Sequence, residues 1–340
     1  MTRTIPMPPL TLVATPEPGP EDVALAKDGT AYTALRDAAL LVRIDPDAAS
    51  GEVVARLGGR GLGTEMLADG RVLVCNAPLG LQAVDPLSGE VTSLAGEVGG
   101  RAFGVCNNAS LARDGTIFVS ESSTAHPLER FRRDIVEDTG TGALWRVPPP
   151  KAGGAEGAGE GEGEGGGGGE PERLLGGLSF ANGVALSPDE DFVLVAETAK
   201  CRVHRVWLTG ARAGEREVFA EVDGFPDNLS LGEAPDGRAV FWVALPAPRL
   251  AATQRIHALP RALRSLIARL PEALGPKPGR VCRVAAYDTD GRLVAQFDGD
   301  AATYHHVTGV RQRGDSLWLA SFEHEALARF TLPDGWASEA

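Results

Sequence analysis

The chain has little of what marks several common functions. Its four cysteines, Cys75, Cys106, Cys201 and Cys282, are scattered, without a CxxC pair or zinc-type spacing, and read as reduced thiols in or beside strands. No apolar run approaches the roughly 18 residues that a membrane-spanning helix needs. The proline-rich first 20 residues hold no apolar core flanked by basic residues, so neither a signal peptide nor an anchor is expected there, and a cytoplasmic location fits. Excess basic charge is missing as well. A formal net charge of −13 argues against nucleic acid or an anionic membrane as the main partner. There is no Gly-x-Ser-x-Gly elbow, so a serine-hydrolase mechanism lacks its signal.

What is present is a strand pattern with a period. Short β-prone runs at 31–34, 72–74, 117–119, 192–195, 240–243 and 317–319 each follow a turn: Asp28-Gly29, Asp69-Gly70, Asp114-Gly115, Pro188-Asp189, Asp236-Gly237 and Gly314-Asp315. Further strands fill the space behind each, as at 41–45, 52–54, 81–85, 143–147 and 281–285. Four strands per unit, repeated about every 40 to 50 residues, indicate an all-β, six-bladed β-propeller rather than a sandwich. Residues 1–340 are read as one such domain.

A second regularity bears on function. Glu21 precedes Asp28 by seven residues, Asn107 precedes Asp114 by seven and Asn182 precedes Asp189 by seven; Asp227 precedes Asp236 by nine. One polar group at one register, repeated around a closed ring, points several oxygens at a common centre. Glu21, Asn182 and Asp227 offer two carboxylates and an amide oxygen, all hard donors, with no Cys or His among them. That set suits Ca²⁺, with Mg²⁺, Mn²⁺ or Zn²⁺ as alternatives. Asp227 is the candidate catalytic base toward water, while Asn107 and Asn108 are candidates for holding a substrate. Taken singly, each of these residues also suits an ordinary turn or cap.

Two insertions break the rhythm. Residues 152–170 are almost entirely Gly and Glu and are expected to form a disordered rim loop. Residues 249–280 carry the one convincing helix, with Leu259, Leu263, Leu266, Ile267 and Leu270 at helical spacing and Pro260 suited to a first turn. This is also the basic patch of an acidic chain. Its apolar stripe is read as packing on the propeller face, or as a lid or surface-docking helix.

Residues 179–189, SFANGVALSPD, continuing through AETAKCR at 196–202, resemble the core of strictosidine synthase-like proteins. GFPDN at 224–228 followed by FWVA at 241–244 resembles the next block of that family. The wider group holds the SMP-30/gluconolactonase propellers. The resemblance implies that Glu21, Asn182 and Asp227 match the metal ligands of the gluconolactonase branch, that Asn107 matches its substrate or metal-shell Asn, and that the helical insertion caps the active-site face.

Two departures stand out. Asn107-Asn108 replaces the usual Asn-Asp, and the stretch before the last inner strand, Tyr304-His305-His306-Val307-Thr308, lacks the Glu that strictosidine synthase requires. A Pictet–Spengler condensation is therefore not expected, and His305 and His306 become candidates for substrate binding, acid/base work or ligation. The expected function is a metal-dependent hydrolase of a lactone or related ester, acting on a small molecule as a monomer or small homo-oligomer. The alternatives are a lyase, cyclase or isomerase on the same scaffold, or a non-catalytic propeller that binds a small molecule.

Overall fold

The computed structural model describes residues 4–149, 169–270 and 279–337. The Gly/Glu stretch expected to be a rim loop lies almost wholly outside them. Six sheets of four or more strands, each joined by tight turns, form the six blades. Every strand expected after an Asp/Gly turn falls inside an observed one: Ala31–Leu35, Val72–Ala77, Ile117–Glu121, Phe192–Glu197, Ala239–Ala244 and Ser316–Ser321. These are the second strands of the blades. The innermost strands lie on the other side of the turns, at Ala24–Leu25, Arg60–Met66, Cys106–Leu111, Ala181–Leu186, Leu229–Glu233 and Val307–Arg313.

The ring is closed by the N-terminal segment. Thr11–Ala14 runs antiparallel to Ala326–Thr331 as the outer strand of the sixth blade. Thr4–Pro6 adds a parallel edge strand to Leu293–Gly299 of the fifth. Both cover backbone groups that would otherwise form open sheet edges. The core lies mainly between blades. Tyr32, Leu41 and Leu57 of the first blade pack with Val72, Val74 and Val84 of the second, and Phe118 and Leu144 of the third pack with Val184 and Val195 of the fourth. Each such fully buried aliphatic side chain contributes about 1.5–3 kcal/mol relative to exposure. All four cysteines are free and buried.

Helices occupy one face. α1 (Phe131–Glu137) is inserted between the second and third strands of the third blade. α2 (Ala251–His257) and α3 (Arg261–Ile267) are inserted at the equivalent position of the fifth. Among the described residues, the single helix expected within 249–280 is two short ones, parted at Pro260, whose ring cannot continue α2 but can precede α3. The apolar stripe does not pack onto the propeller: Leu263, Leu266 and Leu270 are 47%, 61% and 49% exposed. Polar contacts hold the insertion against α1 instead. The α3 residue Arg264 donates to Asp138 at 2.6 Å, and the ring of His257 bonds the Ile135 carbonyl at 2.8 Å.

Candidate metal centre and substrate pocket

The seven-residue offset has a structural cause. Each inner strand begins at the helical face, crosses the channel wall and ends at its turn, so residues at one offset stand at one height. The rule reaches further than the polar residues that revealed it. Leu62 stands seven residues before Asp69, and Thr308 seven before Asp315. Glu21, Leu62, Asn107, Asn182, Asp227 and Thr308, one from each blade, line a single small cavity of about 50 Å³. Sequence reasoning passed over Leu62 and Thr308 because one is apolar and the other a hydroxyl. In four blades the inner strand carries a register shift at this height, between Gly61 and Thr64, Cys106 and Ala109, Ala181 and Val184, and Val307 and Gly309. Such bulges re-aim side chains toward the axis.

The amide groups are polarised across the cavity wall. Asn107 donates through Nδ2 to Ser122 Oγ at 2.8 Å, and Asn182 through Nδ2 to Thr198 Oγ1 at 3.3 Å. Their Oδ1 atoms, like Asp227 Oδ1, are buried and accept no hydrogen bond. Glu21 Oε2 accepts from Asn228 Nδ2 at 3.2 Å, and the Glu21 carbonyl accepts from Thr308 Oγ1 at 2.7 Å. Gly183 N–H donates to the Asp227 carbonyl at 3.1 Å, tying the Asn182 strand to the Asp227 loop. Buried polar atoms are nearly always partnered, so three orphaned oxygens on one cavity wall are a strong signal. The set is hard, oxygen-only and carries two carboxylates, which fits a divalent cation of the Ca²⁺ class.

Electrostatics agree. Burial, reinforced by Asp227 and Asp22, holds the Glu21 carboxyl well above its ordinary range. Burial, with Asp22 adding, pushes Asp227 up to about 7 despite a bond from Asn182. Two buried acids that resist ionising together are what a cation would relieve.

One layer deeper, polar side chains and glycines alternate around the channel: Asp22, Gly63, Asn108, Gly183, Asn228 and Gly309. A Cβ at Gly63 would lie 2.7 Å from Asn108 Nδ2, and one at Gly309 would lie 2.9 Å from Asp22 Oδ1. The glycines leave the room that the polar side chains fill. Asn108 is therefore misassigned as a substrate contact. Its Nδ2 donates to Asp22 Oδ2 at 3.1 Å and its Oδ1 accepts from Val184 N–H at 2.8 Å, so both ends are spent on joining blades.

Above the cavity lies a wider pocket of about 160 Å³ that shares Phe131, Phe180, Asn182, Asp227 and Phe322 with it. Its walls are mainly apolar: Phe131, Ile135 and Val136 of α1, then Phe180, Phe225 and Leu250. α1 was not foreseen, since seven residues carry too little periodicity to stand out. His306 reaches this upper pocket, whereas His305 stands beside it; neither lines the lower cavity. The upper pocket also includes Glu323, which sequence reasoning missed because only the sixth-blade hairpin brings it to the histidines. Glu197 and Arg202 pair at 2.6 Å as a structural bridge in the fourth blade, and His126 pairs with Glu137 at 2.9 Å.

A strictosidine synthase model matches residues 171–211, and a model of the strictosidine synthase-like N-terminal region matches residues 9–40. Protein STRICTOSIDINE SYNTHASE-LIKE 13 of Arabidopsis thaliana is 29% identical over 282 residues, covering 82% of this chain and 62% of that protein. The adipocyte plasma membrane-associated protein of Salmo salar is 32% identical over 250 residues, covering 68% and 54%. The chain thus spans between about half and two thirds of the length of these curated relatives. Among solved structures, a gluconolactonase from Xanthomonas campestris superposes with a TM-score of 0.66 at 17% identity, covering 95% of this chain and 89% of that one. The calcium-binding protein regucalcin from Agrobacterium tumefaciens gives 0.65 at 17%, covering 98% and 96%. Among the described residues no helix is long and apolar enough to cross a membrane, which says nothing about strands. By its sequence blocks the chain belongs to the strictosidine synthase-like family, and its fold is the six-bladed propeller of the gluconolactonase and regucalcin structures.

Proposed function

We propose that the protein is a divalent-cation-dependent hydrolase of lactones or related esters with an apolar acyl part. The observation that carries this reading is the trio of orphaned buried oxygens, on Asn107, Asn182 and Asp227, at the floor of an apolar pocket. Glu21, Asn182 and Asp227 hold the cation, and Asn107 presents an oxygen to the same cavity. When bound, such a cation acts as a Lewis acid toward a carbonyl oxygen and lowers the pKa of water.

The chain's own residues supply the rest. Asp227, which the cation would keep ionised, accepts a proton from water at a carboxylate oxygen. Phe131, Phe180 and Phe225 exclude bulk water and bind the hydrocarbon part of the substrate. These walls offer few partners for a polyhydroxylated ring, so aliphatic lactones suit the pocket better than sugar lactones. The gluconolactonase and regucalcin likenesses support the scaffold and the cation class, and the substrate class comes from the pocket walls.

A panel of aliphatic and sugar lactones, assayed with Ca²⁺ and then with a chelator, tests this. Turnover of the aliphatic members that chelation abolishes, and that falls by roughly 10²–10⁴-fold in Asp227→Asn with the fold intact, is the expected result. Chelator-resistant hydrolysis, or full activity in that variant, would discard the assignment.

A further inference from the structure

The sixth blade builds a second cluster of a different kind. His305 and His306 precede its inner strand, Glu323 follows its second strand, and one ligand atom from each lies within 4.8 Å of the others. His305 Nε2 is 3.2 Å from Glu323 Oε2. His306 Nδ1 approaches the same oxygen to 2.9 Å. The two imidazoles are nearly buried, at 12% and 13% exposure.

A fourth residue sets the tautomers. His324 Nε2 accepts the backbone N–H of His305 at 3.1 Å, so it carries a lone pair rather than a proton. His305 Nδ1 lies 3.2 Å from that same atom and must donate to it. A neutral His305 therefore keeps its proton on Nδ1 and turns a bare Nε2 lone pair toward a carboxylate. A bare Nε2 facing a carboxylate is an arrangement that a shared cation, whether a proton or a metal ion, satisfies. The backbone also supports this arrangement: His306 adopts φ 50°, rare for a residue with a side chain, fixed by its N–H bond to the Val281 carbonyl at 3.0 Å.

We propose that His305, His306 and Glu323 bind a borderline transition ion of the Zn²⁺ class, at a site separate from the oxygen cavity. Two imidazoles and a carboxylate are a recognised three-ligand set for Zn²⁺ with one position left open. Tetrahedral ligands about 2.0–2.1 Å from such an ion stand about 3.3 Å apart, near the separations found here. His324 is a positioning residue, donating nothing to the ion but fixing the ring that does. Because His306 and Glu323 line the upper pocket, the open position faces the chamber above Asp227. The inference does not rest on the lactone reading, since it concerns binding alone.

The test uses the full chain, stripped with chelator and then held in excess Ca²⁺. Titration with Co²⁺, read by its visible ligand-field absorption, and with Zn²⁺ by calorimetry should each saturate at one equivalent, Zn²⁺ displacing Co²⁺. Glu323→Gln and His305→Ala should weaken binding at least 10-fold, and His324→Phe should weaken it roughly 10–100-fold while leaving the stoichiometry at one. His126→Ala, remote from the cluster, should change nothing. Melting curves check each fold, and if His305→Ala does not fold, Glu323→Gln decides. No saturable binding in the wild type, or wild-type affinity in Glu323→Gln, would overturn the proposal.

Discussion

The two ends of the channel are equally buried and oppositely compensated. At the deep end burial raises Asp22 to about 6, less than Asp227, because it takes the Thr64 N–H and Asn108 Nδ2, each at 3.1 Å, and shares the charge of Arg311. Arg311 in turn donates to Glu65 at 2.6 Å and to the Val23 carbonyl at 3.2 Å. The chain carries its own cation there. At the helical end Glu21 and Asp227 face orphaned amide oxygens, and Arg36, which lines the cavity and favours both carboxylates only in part, is shared with Asp37 and Phe322. It donates to Asp37 at 2.7 Å and lies 4.6 Å above the Phe322 ring. Burying carboxylates demands compensation in either place. One end draws it from the sequence, and on the reading proposed above the other draws it from solution.

Removing the built-in cation should produce the largest effect on stability. Arg311→Met leaves Asp22 and Glu65 without their partner, and breaking one side of a buried ion pair costs roughly 3–5 kcal/mol. Chemical denaturation should show a loss of that order, with Ca²⁺ affinity nearly unchanged because the upper oxygens are untouched. A variant that kept its stability but lost Ca²⁺ would reverse the roles assigned to the two ends.

The upper end should reveal itself through pH. Burial, with Asp22 adding, raises Asp227 from 3.8 to about 7, so the folded state binds a proton more tightly than the unfolded chain does. Stability of the cation-free protein is then greatest below about pH 4 with respect to this group and is lost as pH rises through 7. The loss is at most about 4 kcal/mol, from about 1.4 kcal/mol per pKa unit. Denaturation midpoints measured in chelator should fall across that window, and Asp227→Asn should make the fall smaller, leaving the part due to Glu21 and Asp22. Saturating Ca²⁺ should also flatten it, because the bound ion favours the ionised form. A cation-free profile that is already flat would show that the two carboxylates do not strain one another.

The fold was legible because its signals are local and repeated. Each tight turn, five of Asp and Gly and one at Pro188-Asp189, fixes a hairpin, and six of them with β-prone runs behind leave little freedom for another architecture. The site was partly legible for the same reason: Glu21, Asn107, Asn182 and Asp227 stand at heights that inner-strand length dictates. What escaped depended on contacts no spacing encodes. Asn108 looks like Asn107 in the sequence, yet Gly63 on a neighbouring strand admits its side chain to a layer where both polar ends are spent. Glu323 lies 17 residues from His306, a separation that only the hairpin closes. The leucines of α3 obey helical periodicity, but Arg264 and Asp138 set the orientation and leave Leu263 and Leu266 exposed.

The subtlest contrast separates the two neighbouring layers, and a pair of asparagines probes it. Asn182 and Asn108 are both buried, both on inner strands, and both chemically identical. Asn182 Oδ1 has no partner within the protein, whereas Asn108 Oδ1 satisfies the Val184 N–H. Asn182→Ala should therefore cost the cation-free protein little, since one orphaned oxygen leaves together with a weak bond to Thr198 and the bond to Asp227. Its Ca²⁺ affinity should fall roughly tenfold, about 1.4 kcal/mol, for a neutral ligand lost from a shell that retains both carboxylates. Asn108→Ala should do the reverse. It strips the Val184 N–H and Asp22 of partners, costing about 1–3 kcal/mol in the cation-free protein, and leaves Ca²⁺ affinity within about twofold. Calorimetric Ca²⁺ titrations beside urea melts of the two variants decide the matter. Equal losses of affinity would mean that the layers act as one, and that the division between a ligating ring and a packing ring is wrong.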